Sequence, residues 1–136
     1  MAYDDSVRLI WSLATSGKST TITTSGDSGP WAVADNGARY SAVDLRWADD
    51  IWLSVSAAGG AGSAATVQLD AYDDQGTLFP QLLKVTLAAA PGQAVAFGGR
   101  HGGGGSGSYF VLPQWGRISW TLTGSMTGAG IALYAR

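Results

Sequence analysis

The chain has 136 residues, enough to bury one hydrophobic core and too few for two independent ones. Its 8 Lys or Arg against 10 Asp give a net charge of −2, which supplies no basic field for nucleic acid or an anionic membrane. The lack of cysteine removes disulfides, thiolate nucleophiles and thiolate metal sites together, and with a single histidine it excludes a zinc site of ordinary type.

The first residues, Met1 to Asp5, are acidic where a secretory signal would be basic. No apolar run approaches the roughly 20 residues of a membrane helix, so a soluble protein made in the cytoplasm is expected. Lysine occurs only at Lys18 and Lys84 and every carboxylate is an aspartate, which leaves few residues for long solvated helices and points to strands.

Val7, Leu9, Trp11 and Leu13 alternate with Arg8, Ile10, Ser12 and Ala14, predicting a half-buried first strand with the first set inward. Lys18 to Thr24 is threonine-rich and strand-like, whereas Ser25 to Gly37 gathers Gly, Asp, Ser, Pro and Asn and predicts a long surface loop. Val43, Leu45 and Trp47 form the apolar set of a second alternation. Beyond Asp49 and Asp50, Ile51, Leu53 and Val55 form a third, opposed by Trp52, Ser54 and Ser56. Val67, Leu69 and Ala71 alternate with Gln68, Asp70 and Tyr72 and run into the hairpin turn Asp73-Asp74-Gln75-Gly76. Leu83, Val85 and Leu87 continue beyond Pro80, which marks an edge or a strand start, and Pro91-Gly92 breaks the pattern before Ala94 to Phe97. After the glycine-rich loop 98–108, strands are expected at Tyr109 to Leu112 and Gly116 to Thr123, with a last one through Ile131, Leu133 and Ala135. The whole reads as an all-β, single-domain antiparallel β-sandwich over residues 1–136, jelly-roll-like and without internal repeat.

Several stretches have the look of chemistry. Gly102, Gly104 and Gly107 have dinucleotide-turn spacing, but a strand rather than a helix follows, so no set of aligned amides faces a pyrophosphate. Gly17-Lys18-Ser19-Thr20 ends like a phosphate-binding loop, yet Ser12 stands where the first glycine is required. Gly26-Asp27-Ser28-Gly29-Pro30 is close to the nucleophile segment of chymotrypsin-like proteases, but His101 follows the serine and the chain is too short for two barrels. Glycine neighbours leave His101 without the fixed position a general base needs. Asp70, Asp73 and Asp74 could hold calcium, although their spacing does not match the EF-hand loop and an acidic hairpin turn accounts for them. Asp44, Asp49, Asp50 and Asp70 are not paired at any defined separation, as glycoside hydrolysis demands. No catalytic residue and no cofactor is assigned.

The six tryptophans carry more information. Alternation places Trp11, Trp47 and Trp120 with Leu9, Leu45 and Ile118 in the core. Trp52 and Trp115 fall on polar faces, and Trp31 lies in the long loop. Indoles outside a core mark contact surfaces, so Trp31, Trp52, Trp115 and Arg117 are the candidate partner-binding residues, with the glycine loop around His101 as an arm.

The segment Leu112 to Arg136 resembles small structural proteins of tailed bacteriophages. Their pattern of Pro, aromatic, Arg, Trp-Thr-x-Thr-Gly ahead of a final strand reads here as Pro113, Trp115, Arg117, Trp120, Thr121, Thr123 and Gly124. "TVQLDAYDDQGT", from Thr66, is similar to the same proteins, so the likeness covers about half the chain. What it implies is a jelly-roll virion component of the capsid decoration (cement) type, a trimer clamping subunits of the major capsid protein. A neck or tail component fits the same features. A carbohydrate-binding module stacking sugars on tryptophan is the alternative from another class.

Overall fold

The structure, a computed structural model, describes residues 7–13, 20–28, 32–33, 39–40, 43–73, 78–100, 108–109 and 115–136. In chain order its strands are β1 (Arg8–Ser12), β2 (Thr20–Ile22), β3 (Gly26–Asp27), β4 (Ala32–Val33), β5 (Arg39–Tyr40), β6 (Val43–Asp44), β7 (Asp50–Ala57), β8 (Ala64–Tyr72), β9 (Leu78–Leu87), β10 (Gly92–Gly99), β11 (Ser108–Tyr109), β12 (Trp115–Thr123) and β13 (Met126–Ala135). No helix occurs among the described residues.

Two antiparallel sheets pack face to face. The first runs β1-β13-β7-β10, with β11 added parallel to the end of β10 and β2 also on β13; the second runs β3-β12-β8-β9, with β6 also on β12. Apart from the β8–β9 hairpin, successive long strands change sheet at each step, so the order is that of a jelly roll. The expected all-β sandwich is what the chain forms.

The alternation read from the sequence explains the interior. Ile51, Leu53 and Val55 of β7 and Ile131 and Leu133 of β13 point inward onto Val67 and Leu69 of β8 and Ile118 of β12, all fully buried in one cluster. Each such side chain contributes about 1.5–3 kcal/mol relative to exposure. Gly116 lies where β12 crosses Leu69 and Leu45, and a Cβ there would stand 2.9 Å from Leu69 Cδ1. Trp120 closes one end of the core. Its indole N–H donates to Thr24 O (3.1 Å), and its ring centroid lies 6.2 Å from that of Trp11.

Four expectations need correction. Val7 and Leu9 are exposed (49% and 44%), because a bulge between Leu9 and Trp11 adds a residue to β1 and turns Leu9 outward while Trp11 packs against the core. Trp47 is 47% exposed rather than buried. It sits in a turn closed by Ala48 N–H donating to Leu45 O (3.1 Å), where the strand period no longer applies. The loop expected over residues 25–37 contains β3, which docks on β12 through serine hydroxyls. Ile118 N–H donates to Ser28 Oγ (2.8 Å) and Leu122 N–H donates to Ser25 Oγ (2.9 Å). The last strand begins at Met126, inside the turn expected before it. The hairpin between β8 and β9 is present, though its tip at residues 74–77 lies outside the described residues. Pro80 stands on β9, an edge strand, as its missing N–H requires.

Candidate docking face

The outer surface of the first sheet carries a row that crosses four strands. Leu9 of β1 pairs with Tyr134 of β13, Tyr134 with Trp52 of β7, and Trp52 with Phe97 of β10, so all four side chains share one face. Beside it, Val7, Trp52, Ser54, Gln93, Val95 and Tyr134 line a shallow depression of about 320 Å³. Val7, Leu9 and Val95 are each nearly half exposed, leaving apolar surface that costs about 25 cal/mol per Å² in water. The charged group over this face is Arg136, whose guanidinium carbon lies 5.5 Å from the Trp52 ring centroid. Its Nε also lies 3.3 Å from Oδ2 of the buried Asp50, so the cation is held at the rim by both a ring and a carboxylate.

The outer surface of the second sheet differs in chemistry. Thr121 of β12 stands opposite Thr66 of β8, which stands opposite Thr86 of β9, giving a hydroxyl row in place of an aromatic one. At one end Arg46 lies over Trp115, 4.4 Å from the ring centroid, and is fixed there by Asp44 Oδ1 and Oδ2 at 3.0 and 2.8 Å. The hydrogen bonds from Arg46 hold the Asp44 carboxyl below the usual carboxylate range against a smaller opposing effect of burial, and Asp44 raises Arg46 in turn. Arg117 stands opposite Asp70, yet its Nε is buried without a hydrogen-bond partner. Asp70 is committed elsewhere: it accepts from Gln81 N–H (2.8 Å) and from Gln68 Nε2 (3.1 Å). Gln81 has φ 51° at the β9 bulge, and this carboxylate anchors it.

Trp52 and Trp115, with Arg117, therefore lie on opposite outer surfaces, and no flat partner touches both. Both indoles are half-buried, each beneath an arginine. Trp31 and His101 lie outside the described residues, as do Asp74 and the glycine run 101–107. Ser28 accepts from a backbone amide, which gives its hydroxyl a structural role. Among the aspartates weighed for catalysis, Asp44 pairs with Arg46, Asp50 with Arg136 and Asp49 more loosely with Arg100 (3.7 Å). Among the described residues no three His, Asp or Glu side chains converge as metal ligands.

Sequence reasoning missed the rest of the row. Tyr134 and Phe97 sit at outward positions of their strands, a signal present in the alternation itself, whereas Leu9 was concealed by the bulge. Comparison with protein-family models, with curated proteins and with solved structures gives no match to this chain.

Proposed function

We propose that the protein is a non-enzymatic structural component of a tailed-bacteriophage virion, a decoration (cement) protein that docks on the major capsid protein through the outer face of the β1-β13-β7-β10 sheet. The observation that carries this reading is the row Leu9, Tyr134, Trp52 and Phe97, an apolar stripe crossing four strands of one outer face beside only a shallow depression. Aromatic side chains flanked by polar groups are the usual anchors of protein interfaces. The resemblance of Leu112 to Arg136 to phage structural proteins supplies the identity of the partner, and the local commitment of Asp44, Asp50 and Asp70 speaks against a catalytic carboxylate pair. The mechanism is mechanical. Copies that bind only the assembled shell, and that bridge more than one capsid subunit, stabilise it by mass action and by multivalency.

The test adds purified protein to phage heads that lack it. The wild-type chain is expected to saturate the heads and to delay their rupture on heating. Trp52→Ser combined with Tyr134→Ser is expected to abolish occupancy while the far-UV circular dichroism of the free protein stays unchanged. Full occupancy by that double variant would overturn the assignment of this face. A carbohydrate-binding role is the second reading, favoured by the depression in which Trp52 offers a stacking ring beside Gln93 and Ser54. Saturable binding to glycans, lost with Trp52→Ser and unaccompanied by binding to heads, would select it.

A further inference from the structure

β2 ends at Ile22, whose side chain is buried in the core. From Thr23 to Ser28 the chain adds no apolar side chain: Thr23, Thr24, Ser25 and Asp27 are exposed, and Gly26 and Ser28 are half-buried. This segment crosses the outer edge of β12 like a strap. Gly26 and Asp27, the whole of β3, pair with Trp120 and Ser119, and Ser28 N–H donates to Ile118 O (2.7 Å).

At both ends of that short ladder a serine hydroxyl stands in for a backbone carbonyl. Ile118 N–H donates to Ser28 Oγ (2.8 Å) and Leu122 N–H to Ser25 Oγ (2.9 Å). The register sets Thr24 opposite Leu122, but Thr24 O accepts instead from the Trp120 indole N–H (3.1 Å). Packing beneath the strap is slight. A depression of about 230 Å³ opens between Thr23, Thr24, Leu13 and Trp120, and Gly26 lies flat on the indole, where a Cβ would stand 2.8 Å from Cζ2.

We propose that Thr23 to Ser28 lifts from β12 as one unit, hinged after Ile22, while the rest of the sandwich stays folded. The opening free energy of a segment follows from what it buries, and one without apolar side chains, held by hydrogen bonds at the surface, lies at the low end of the range. β12 is divided accordingly. Its amides at Ile118, Trp120 and Leu122 face the strap, whereas antiparallel alternation turns those of Ser119 and Thr121 to β8, where release requires the core to open. Closed, the strap covers an edge that would otherwise offer unpaired N–H and C=O groups to another chain. Lifted, it presents that edge beside the Trp120 ring, the form in which a sheet accepts an added strand. The inference does not depend on the docking role proposed above, which lies on the other sheet.

Native-state hydrogen exchange of the full chain, followed by NMR in urea below the unfolding midpoint, tests it. In the wild type, Ile118, Leu122 and the Trp120 indole N–H are expected to exchange through one common opening that urea hardly affects, while Ser119 and Thr121 show the full urea slope of global unfolding. Two variants separate the openings. Ser25→Ala with Ser28→Ala is expected to speed exchange of the indole N–H about tenfold, although neither hydroxyl touches it, because the strap loses two of its hydrogen bonds. Leu133→Ala, which weakens the core, is expected to speed Ser119 and Thr121 and to leave Ile118, Leu122 and the indole unchanged. A single urea slope for all five groups in the wild type would overturn the proposal whether or not the variants fold. So would an indole that ignores the serine pair or that follows Leu133→Ala.

Discussion

The two outer surfaces of the sandwich are built on the same strand period, each carries one indole beneath an arginine, and they differ in the rows that cross their strands. On the first sheet one outward row across neighbouring strands is Leu9, Tyr134, Trp52 and Phe97; on the second the row Thr121, Thr66 and Thr86 is hydroxylic, and its indole, Trp115, lies at one end under Arg46. The inward positions of both are equally apolar, since each contributes to one core. The difference teaches that the strand pattern settles folding on one side and leaves the other side free for selection. A hydroxyl row is what a surface in water needs; an aromatic row is not.

Substitutions separate the shared interior from the two exteriors. The largest effect is expected in the core. Leu133→Ala, at a fully buried site of the central strand β13, should lower stability by about 2–5 kcal/mol, seen as a lower urea midpoint at unchanged slope. Next comes Asp70→Ala on the second sheet, which strips the Gln81 N–H of its acceptor and should cost about 1–3 kcal/mol in the same assay. Gly116→Ala forces a methyl against Leu69 and Leu45 and should cost a similar 1–3 kcal/mol, with a crystal structure showing displaced leucines. Thr66→Ala, with its hydroxyl 3.3 Å from that of Thr86, should stay within about 0.5 kcal/mol of wild type. A cost for Thr66→Ala as large as that of Asp70→Ala would break the view of that surface as a solvated one.

The smallest effect concerns pH. The Asp44 carboxyl is held below its ordinary range chiefly by its hydrogen bonds from Arg46. A carboxylate lowered in the folded state stabilises fully above its unfolded pKa of about 3.9 and loses that contribution as pH falls through its lower folded value. Arg46 should therefore stay over Trp115 at neutral pH and leave it only in strong acid. Tryptophan fluorescence followed from about pH 5 downward should show this step, and Asp44→Asn should remove it.

Long strands were legible in the sequence because one face of each is dry. Ile51, Leu53 and Val55, and likewise Val67 and Leu69, announce β7 and β8 by period alone. Two-residue strands have no period to read: β3 exists because Ser25 and Ser28 bond the backbone of β12, a fact of tertiary contact. A bulge is equally silent, and it moved Leu9 from the expected core to the outer row. Trp52 and Trp115 were recognised as outward-facing, but that they look in opposite directions follows from which sheet each strand joins. Alternation within a strand does not encode that choice.

The order of the strands bears on how the molecule comes into being. β13 is the last of them, yet it lies between β1 and β7 in the finished sheet. As a ribosome releases the chain, β1 and β7 wait for a partner strand translated after them, while their backbone groups and leucines are open to other nascent chains. Pairings of such wide separation also slow the search for the native state, to milliseconds or seconds in all-β domains of this kind. Synthesis at low temperature, or with a holding chaperone, should raise the soluble yield by sheltering that interval.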